Sequence, residues 1–329
     1  MRKFVKTMLA AAVCVACSVG VAQAKTYKFA TNFPSDGAPG LLLNEFAQNV
    51  AERTEDRVKI KFFWNGTLGG QGQYLQQIKS GVVDMGVVNS AELENIAPEL
   101  AAVNMPYVFP STEVYAQCFA DPTVKSMMQG YVADKGLVLA GYLNNATRDI
   151  YATKEMKSIA DLKGMKIRTN ASDTYIKMFA AIDAIATPTD YSEVFAGLQQ
   201  GLIDGAEGGL AALYEMNFAQ VAKYGLRTGH SRLTDFIVIS TRVEKKMGDE
   251  DYKIVLDEFQ KISDKSMISV DAHMEKAIKK AIDEKGAIIH ECDTTPFQKA
   301  VEPMYKEAVQ DPVKKPLLEA IFKVQGRTI

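Results

Sequence analysis

The 329-residue sequence has little of what most often carries catalysis: four cysteines, three histidines and one tryptophan. Cys14 and Cys17 fall in an N-terminal apolar segment, which leaves only Cys118 and Cys292 beyond it. Two cysteines so far apart are no disulfide framework, and two independent buried thiols are the simplest reading. His230, His273 and His290 have no partner at metal or triad spacing. A Gly-x-Ser-x-Gly elbow, a His-Glu-x-x-His helix, a Walker loop and a dinucleotide fingerprint are all missing, so the enzyme classes built on them are excluded. Neither charge dominates: 38 Lys and Arg stand against 40 Asp and Glu, a formal net charge of -2. Without the basic excess that phosphate-backbone binding demands, nucleic acid is not an expected partner. At 24% charged and 47% hydrophobic, the chain is neither disordered nor a minimal disulfide scaffold, and it is long enough for two domains.

The first 24 residues follow their own pattern: Arg2, Lys3 and Lys6, an apolar stretch from Met8 to Val21, then Ala22-Gln23-Ala24. This is the layout of a cleaved secretory signal, and the apolar stretch is shorter than the roughly 20 residues that span a bilayer. The mature chain is expected to start at Lys25 and to work in the periplasm. Lipoprotein processing at Cys17 is the rival, but Cys14-Val15-Ala16 lacks the usual Leu three residues upstream. Removing the signal leaves 35 basic against 40 acidic residues, a mildly acidic chain.

From Lys25 the pattern is strand, helix, strand. Tyr27, Phe29 and Thr31 alternate with Lys28 and Ala30; Leu43, Phe46, Ala47 and Val50 then recur at helical spacing; Val58, Ile60 and Phe62 restore the period of two. That βαβ rhythm predicts a parallel α/β sheet. It continues with a helix at 74–80, strands at 82–88, 137–142 and 166–169, and helices at 172–182 and 192–202. From Asp249 to Lys285 there are 37 residues without Gly or Pro. As one helix they would run about 55 Å, long enough to touch two domains; the alternative is two helices broken near Ser263 to Ser266.

Few residues suggest chemistry. His290-Glu291-Cys292-Asp293 has ligand-type side chains, yet in a strand its neighbours point to opposite faces, so no metal is expected. Asp204 and Glu207 are a carboxylate pair that could serve acid-base hydrolysis, although in the run Asp204-Gly205-Ala206-Glu207-Gly208-Gly209 they fit a turn more simply. Arg168 lies in a short strand before Asn170-Ala171-Ser172, a polar cap to the next helix. A guanidinium there can clamp a carboxylate or sulfonate, or be an ordinary salt-bridged residue. The same two readings apply to Arg148, after Asn144-Asn145.

Five blocks appear in order: Phe63-Trp64-Asn65-Gly66-Thr67-Leu68-Gly69; Ser80-Gly81-Val82-Val83-Asp84-Met85; Asp161-Leu162-Lys163-Gly164-Met165-Lys166-Ile167-Arg168; the stretch from Tyr191-Ser192-Glu193 through Leu198-Gln199-Gln200-Gly201 to Asp204-Gly205; and Thr228-Gly229-His230. With them the chain resembles a solute-binding protein of the tripartite ATP-independent periplasmic (TRAP) transporters, DctP type, over nearly its whole mature length. The resemblance implies an α/β periplasmic binding protein fold of two lobes, with a long helix underlying both. The expected lobes are 25–145 plus 234–273 and 146–233 plus 274–329, closing over a small organic anion that is handed to membrane subunits. It implies no enzyme activity and no cofactor. Arg168 would form the main salt bridge to the ligand and Arg148 a second one. Asn32, Gln71 and Asn89 would contribute from the first lobe and Tyr191 from the second.

One position departs from the family pattern. Where the family commonly has Asp-Gly-x-Glu-Asn-Pro, its Asn assisting the ligand carboxylate, this chain has Gly208 and Gly209. Gly208 is expected to open room beside Arg168 for a bulkier head group, so a small sulfonate such as isethionate stands beside C4-dicarboxylates as the expected ligand. An exported hydrolase using Asp204 and Glu207, or a ligand-presenting partner of a chemoreceptor, are the alternatives.

Overall fold

The computed structural model describes residues 24–328. The expected signal segment, apart from Ala24, lies outside the described residues, as do Cys14 and Cys17. The strands are β1 (Lys25–Ala30), β2 (Val58–Phe63), β3 (Met85–Asn89), β4 (Leu137–Asn144), β5 (Arg148–Ala152), β6 (Lys166–Thr169), β7 (Ile185–Pro188), β8 (Gly205–Gly208), β9 (Tyr224–Ser231), β10 (Thr234–Ser240) and β11 (Ile288–Glu291). They form two mixed sheets, ordered β2-β1-β3-β10-β4 and β11-β9-β5-β8-β6-β7. Each sheet is the centre of one lobe, and in each a late or reversed strand runs antiparallel among parallel ones: β10 between β3 and β4, and β5 between β8 and β9.

The first lobe follows the pattern in the sequence. Tyr27 and Phe29 are sealed in the core while Lys28 faces water. The helix Ala38–Arg53 buries Leu43, Phe46 and Val50 on one stripe. The strand expected at 82–88 begins three residues later, at Met85. Its apolar lead, Val82 and Val83, belongs to the preceding turn: Gly81 ends the helix Gln71–Ser80 in the left-handed region at φ 77°, and both valine amides donate back to the Gln77 carbonyl.

Asp249–Lys285 is one continuous helix. Ser263 and Ser266, where a break was the alternative, bind the outer edge of the first sheet. Ser263 Oγ donates to the Phe259 carbonyl at 2.7 Å and accepts from the Tyr142 amide at 3.0 Å; Ser266 Oγ accepts from the Asn144 amide at 3.2 Å. The free N–H groups of edge strand β4 are thereby covered. Gly141 permits the approach, since a Cβ there would sit 2.6 Å from Ser263 Oγ. One apolar cluster joins Phe29 and Phe46 of the first lobe, Leu213 and Phe218 of the second, and Phe259 and Ile278 of the long helix, so this helix underlies both lobes.

The chain crosses between lobes at 145–147, at 232–233, along the long helix, and again at 309–314 before the C-terminal helix. The C-terminal helix Lys315–Val324 departs from the expected division, which gives 274–329 to the second lobe. Its Leu317, Leu318, Ile321 and Phe322 pack with Tyr115 and Phe119 under the first sheet. Cys118 is buried and Cys292 only half-buried, because the latter follows the edge strand β11; both are free thiols.

Candidate ligand-binding site

Both sheets turn the carboxyl ends of their parallel strands toward the gap between the lobes, the end at which open α/β sheets bind ligands. Asn32 follows β1, Asn89 ends β3, Arg168 is near the end of β6 and Gly208 ends β8. The antiparallel strands start at the same edge, which brings Arg148 of β5 and Asp235 of β10 to it. A single cavity there is lined by all seven residues expected from the sequence: Asn32, Gln71, Asn89, Arg148, Arg168, Tyr191 and Gly208.

The two arginines differ in what they touch. Arg148 is locked to Glu207, with Nε 2.5 Å from Oε2 and Nη2 donating to the Glu207 carbonyl at 3.2 Å. Glu207 is fully buried on β8 and also accepts from Asn170 Nδ2 at 2.8 Å. Burial alone would push its carboxyl up, but Arg148 and His230 outweigh that and hold it down at about 2. Burial pushes His230 below the usual histidine value while Glu207 acts to raise it; Thr228 Oγ1 meets its Nδ1 at 2.8 Å. The Thr228-Gly229-His230 block has a local reason: Gly229 takes φ 53° where the β5–β9 register slips, and the bulge brings His230 Nε2 to 3.6 Å from Glu207.

Arg168 is as deeply buried but has no such partner. Its Nε donates to the Thr189 carbonyl at 2.7 Å, and its nearest carboxylate oxygen, Glu207 Oε1, is 4.0 Å away. Among the described residues neither Nη of Arg168 donates a hydrogen bond. Burial lowers its pKa while Glu207 acts to raise it, and the net direction is down. Tyr191 lies against this guanidinium, with the ring centroid 5.7 Å from Cζ. A buried cation with free donors facing a cavity can receive an anionic head group.

The first lobe closes the other side with amides. Gln71 Oε1 accepts from the Asn89 amide, and Asn89 Nδ2 donates across the gap to Asn170 Oδ1 at 3.3 Å. Nearby, Glu94 of the first lobe accepts from Ser172 Oγ, Thr174 N and Thr174 Oγ1 at 2.7, 3.2 and 2.9 Å, which ties the lobes together at a helix N-terminus. Four further carboxylates line the cavity, Glu92, Asp190, Glu215 and Asp235.

Three sequence readings need correction. Gly208 opens room beside Tyr151 and Arg148 rather than Arg168: a Cβ there would lie 3.2 Å from Tyr151 Cε1 and 3.6 Å from Arg148 Nη2, because Gly208 pairs in register with Asp149. Glu207 is not a turn residue but the buried counter-ion of β8. Asp204 points elsewhere, accepting from the Lys166 amide, so the two acids do not converge on one substrate. Asn170 and the acids Glu92, Asp190, Glu215 and Asp235 were missed; only the polar cap around Asn170 gave any signal in the sequence. His290 and Cys292 serve locally, bonding Glu155 and the Arg227 carbonyl.

The sequence model of bacterial extracellular solute-binding protein family 7, DctP, matches residues 29–311. The chain belongs to the DctP family. Its relatives include an uncharacterised Salmonella typhimurium protein, YiiZ, 31% identical over 80% of this chain and 81% of that one. A TRAP periplasmic solute-binding protein from Xanthobacter autotrophicus, solved with β-D-galacturonate, superposes with a TM-score of 0.85 at 27% identity, covering 92% of this chain and all of that one. Another from Citrobacter koseri, solved with D-glucuronate, gives 0.86 at 26% identity with the same coverage. DctP proteins bind solutes for transport and are not enzymes.

Proposed function

We propose that this protein is the periplasmic solute-binding component of a TRAP transporter, that it captures a sugar-acid monocarboxylate of the hexuronate type, and that it delivers this ligand to integral membrane subunits. The observation that carries the reading is the free pair of Nη groups on buried Arg168, beside an Arg148 already neutralised by Glu207. One uncompensated cation matches one carboxylate. The other cavity acids, Glu92, Asp190, Glu215 and Asp235, would repel the second carboxylate of a C4-dicarboxylate but accept hydrogen bonds from hydroxyls. Isethionate has a single hydroxyl to offer them, and the room at Gly208 lies away from Arg168, so the sulfonate reading loses its motive. The solved relatives with galacturonate and glucuronate support the same class.

In this reading the lobes, 25–145 plus 234–273 with the C-terminal helix, and 146–233 plus 274–314, close by bending at the four crossings. Calorimetry and thermal shift with D-galacturonate, D-glucuronate, succinate and isethionate test it. A hexuronate at a hundred times its dissociation constant should stabilise the fold by about 2.7 kcal/mol, with the other two inert. Tight binding of succinate or isethionate and none of either hexuronate overturns it.

A further inference from the structure

Asp235 is the second residue of β10 and sits in register with Asn89 on β3 and Leu143 on β4, so its side chain shares a face with that of Asn89. It lines the cavity, is only 2% exposed, and its Oδ2 has no hydrogen-bond partner among the described residues. A buried acceptor left unmatched is costly and persists where a ligand or a proton satisfies it. We infer that Asp235 is a specificity-determining residue that accepts a hydrogen bond from a hydroxyl of the bound acid, so that the first lobe distinguishes hydroxylated from bare carboxylates.

This rests on the hydroxy-acid reading of the same site. The groups around Asp235 fit an acceptor that ionises when the ligand arrives. Burial raises its carboxyl to about 7, while Arg148 and the Asn145 side chain act to lower it. The phenols of Tyr74 and Tyr115 lie near enough to feel its charge, but Tyr74 donates to the Val87 carbonyl and Tyr115 to Thr234 Oγ1. Asn89 is engaged with Asn170, and Arg232 on the adjoining crossing faces Asp271. None of these supplies Oδ2 with a proton donor. A ligand hydroxyl does, and by favouring the carboxylate it expels the proton, so binding tightens as pH rises toward and just past 7 and levels off above.

The test is calorimetry of the mature protein with D-galacturonate from pH 6 to 8, in two buffers of different ionisation enthalpy, for wild type, Asp235→Asn and Asp235→Ala. Wild type should release about half a proton per ligand near pH 7 and lose roughly tenfold in affinity from pH 8 to 6. Both variants should bind at least tenfold more weakly at pH 8, with a flat profile and without the proton that Asp235 releases. Ligand-free Asp235→Asn should melt higher than wild type at pH 8, by a margin that shrinks as pH falls through 7 and closes only below about 4, where the unfolded carboxyl is protonated as well, which separates an unmatched carboxylate from one that merely supports the fold. If wild type binds galacturonate through Arg168 and Asp235→Asn matches it in affinity and proton count, the Asp235 assignment is wrong and the ligand class stands. If wild type binds no hydroxy acid, both fall.

Discussion

The two lobes differ in the charge they bring to the cavity they share: both cations come from the second, although its Asn170, Asp190 and Glu215 line the cavity as well. The second lobe supplies both cations, Arg148 and Arg168, an aromatic ring, Tyr191, and a buried counter-ion, Glu207. The first lobe supplies neutral amides, Asn32, Gln71 and Asn89, and acids, Glu92 and Asp235. The contrast separates two tasks within one site. On the proposed reading, affinity for a charged head resides in the second lobe, where burial makes an unpaired guanidinium demand an anion. On the same reading, discrimination among tails resides in the first, where acceptors and amides can meet hydroxyls. The second lobe also shows how a cation can be spent: Arg148, bound to Glu207, shapes the wall, while Arg168, 4.0 Å from the same carboxylate, keeps its donors.

That division breaks hardest at Glu207. Glu207→Gln leaves Arg148 buried without its carboxylate, which should cost about 3 to 5 kcal/mol of stability and lower the melting temperature by many degrees. The pH dependence has a definite sign: a carboxyl held down at about 2 stabilises the fold fully above its unfolded value near 4.5 and loses that contribution as pH falls toward 2. Acid melts of wild type and variant should therefore converge near pH 2; a variant as stable as wild type at pH 7 would show that Arg148 needs no partner.

Next comes the head-group cation. Arg168→Ala should weaken hexuronate binding by about 2 to 5 kcal/mol, and Arg168→Lys should also bind poorly, because an ammonium lacks the planar fork. Near-wild-type calorimetry for the Ala variant would move the anion site elsewhere. Smaller effects are expected where the lobes meet. Glu94→Ala removes three acceptor contacts to residues 172–174. It should weaken binding roughly tenfold and raise the radius of gyration of the liganded protein in solution scattering, with the charge of the cavity unaltered. Smallest is Tyr191→Leu, which forfeits a cation–π contact of about 0.5 to 1 kcal/mol and should cost only a few-fold in affinity.

Much of this was legible in the sequence, and for a consistent reason. Period-two and helical patterns are local, so β1, β2, β6 and the long helix could be placed from Tyr27, Phe29 and their equivalents. The family motifs carried Arg168 and Arg148 to one site. What was hidden depends on register or on distance in the chain. Glu207 is the counter-ion of Arg148 because Ile150 pairs with Glu207 across β5 and β8, which places the arginine two residues earlier beside it; nothing in Gly205-Ala206-Glu207-Gly208 states that pairing. Asp235 meets the cavity only because β10 enters the first sheet from 145 residues beyond β3. Val82 and Val83 looked like strand because apolar turn residues carry the same hydropathy as strand residues. Ser263 and Ser266 looked like a break because their partners, the β4 amides, belong to another element.

The position of β10 has a consequence for how the molecule comes into being. It is the bridge between β3 and β4, so the first sheet lacks a middle strand until residue 240 is available, by which point most strands of the second lobe have already been made. Neither lobe is a contiguous stretch of chain that could fold on release. Closing loops this long precedes the contacts that reward them, and topologies of this kind fold slowly. A nascent chain would hold its two half-sheets open, with β3 and β4 each missing a neighbour, and would complete both lobes nearly at once when β10 slides between them and the long helix docks its serines along β4.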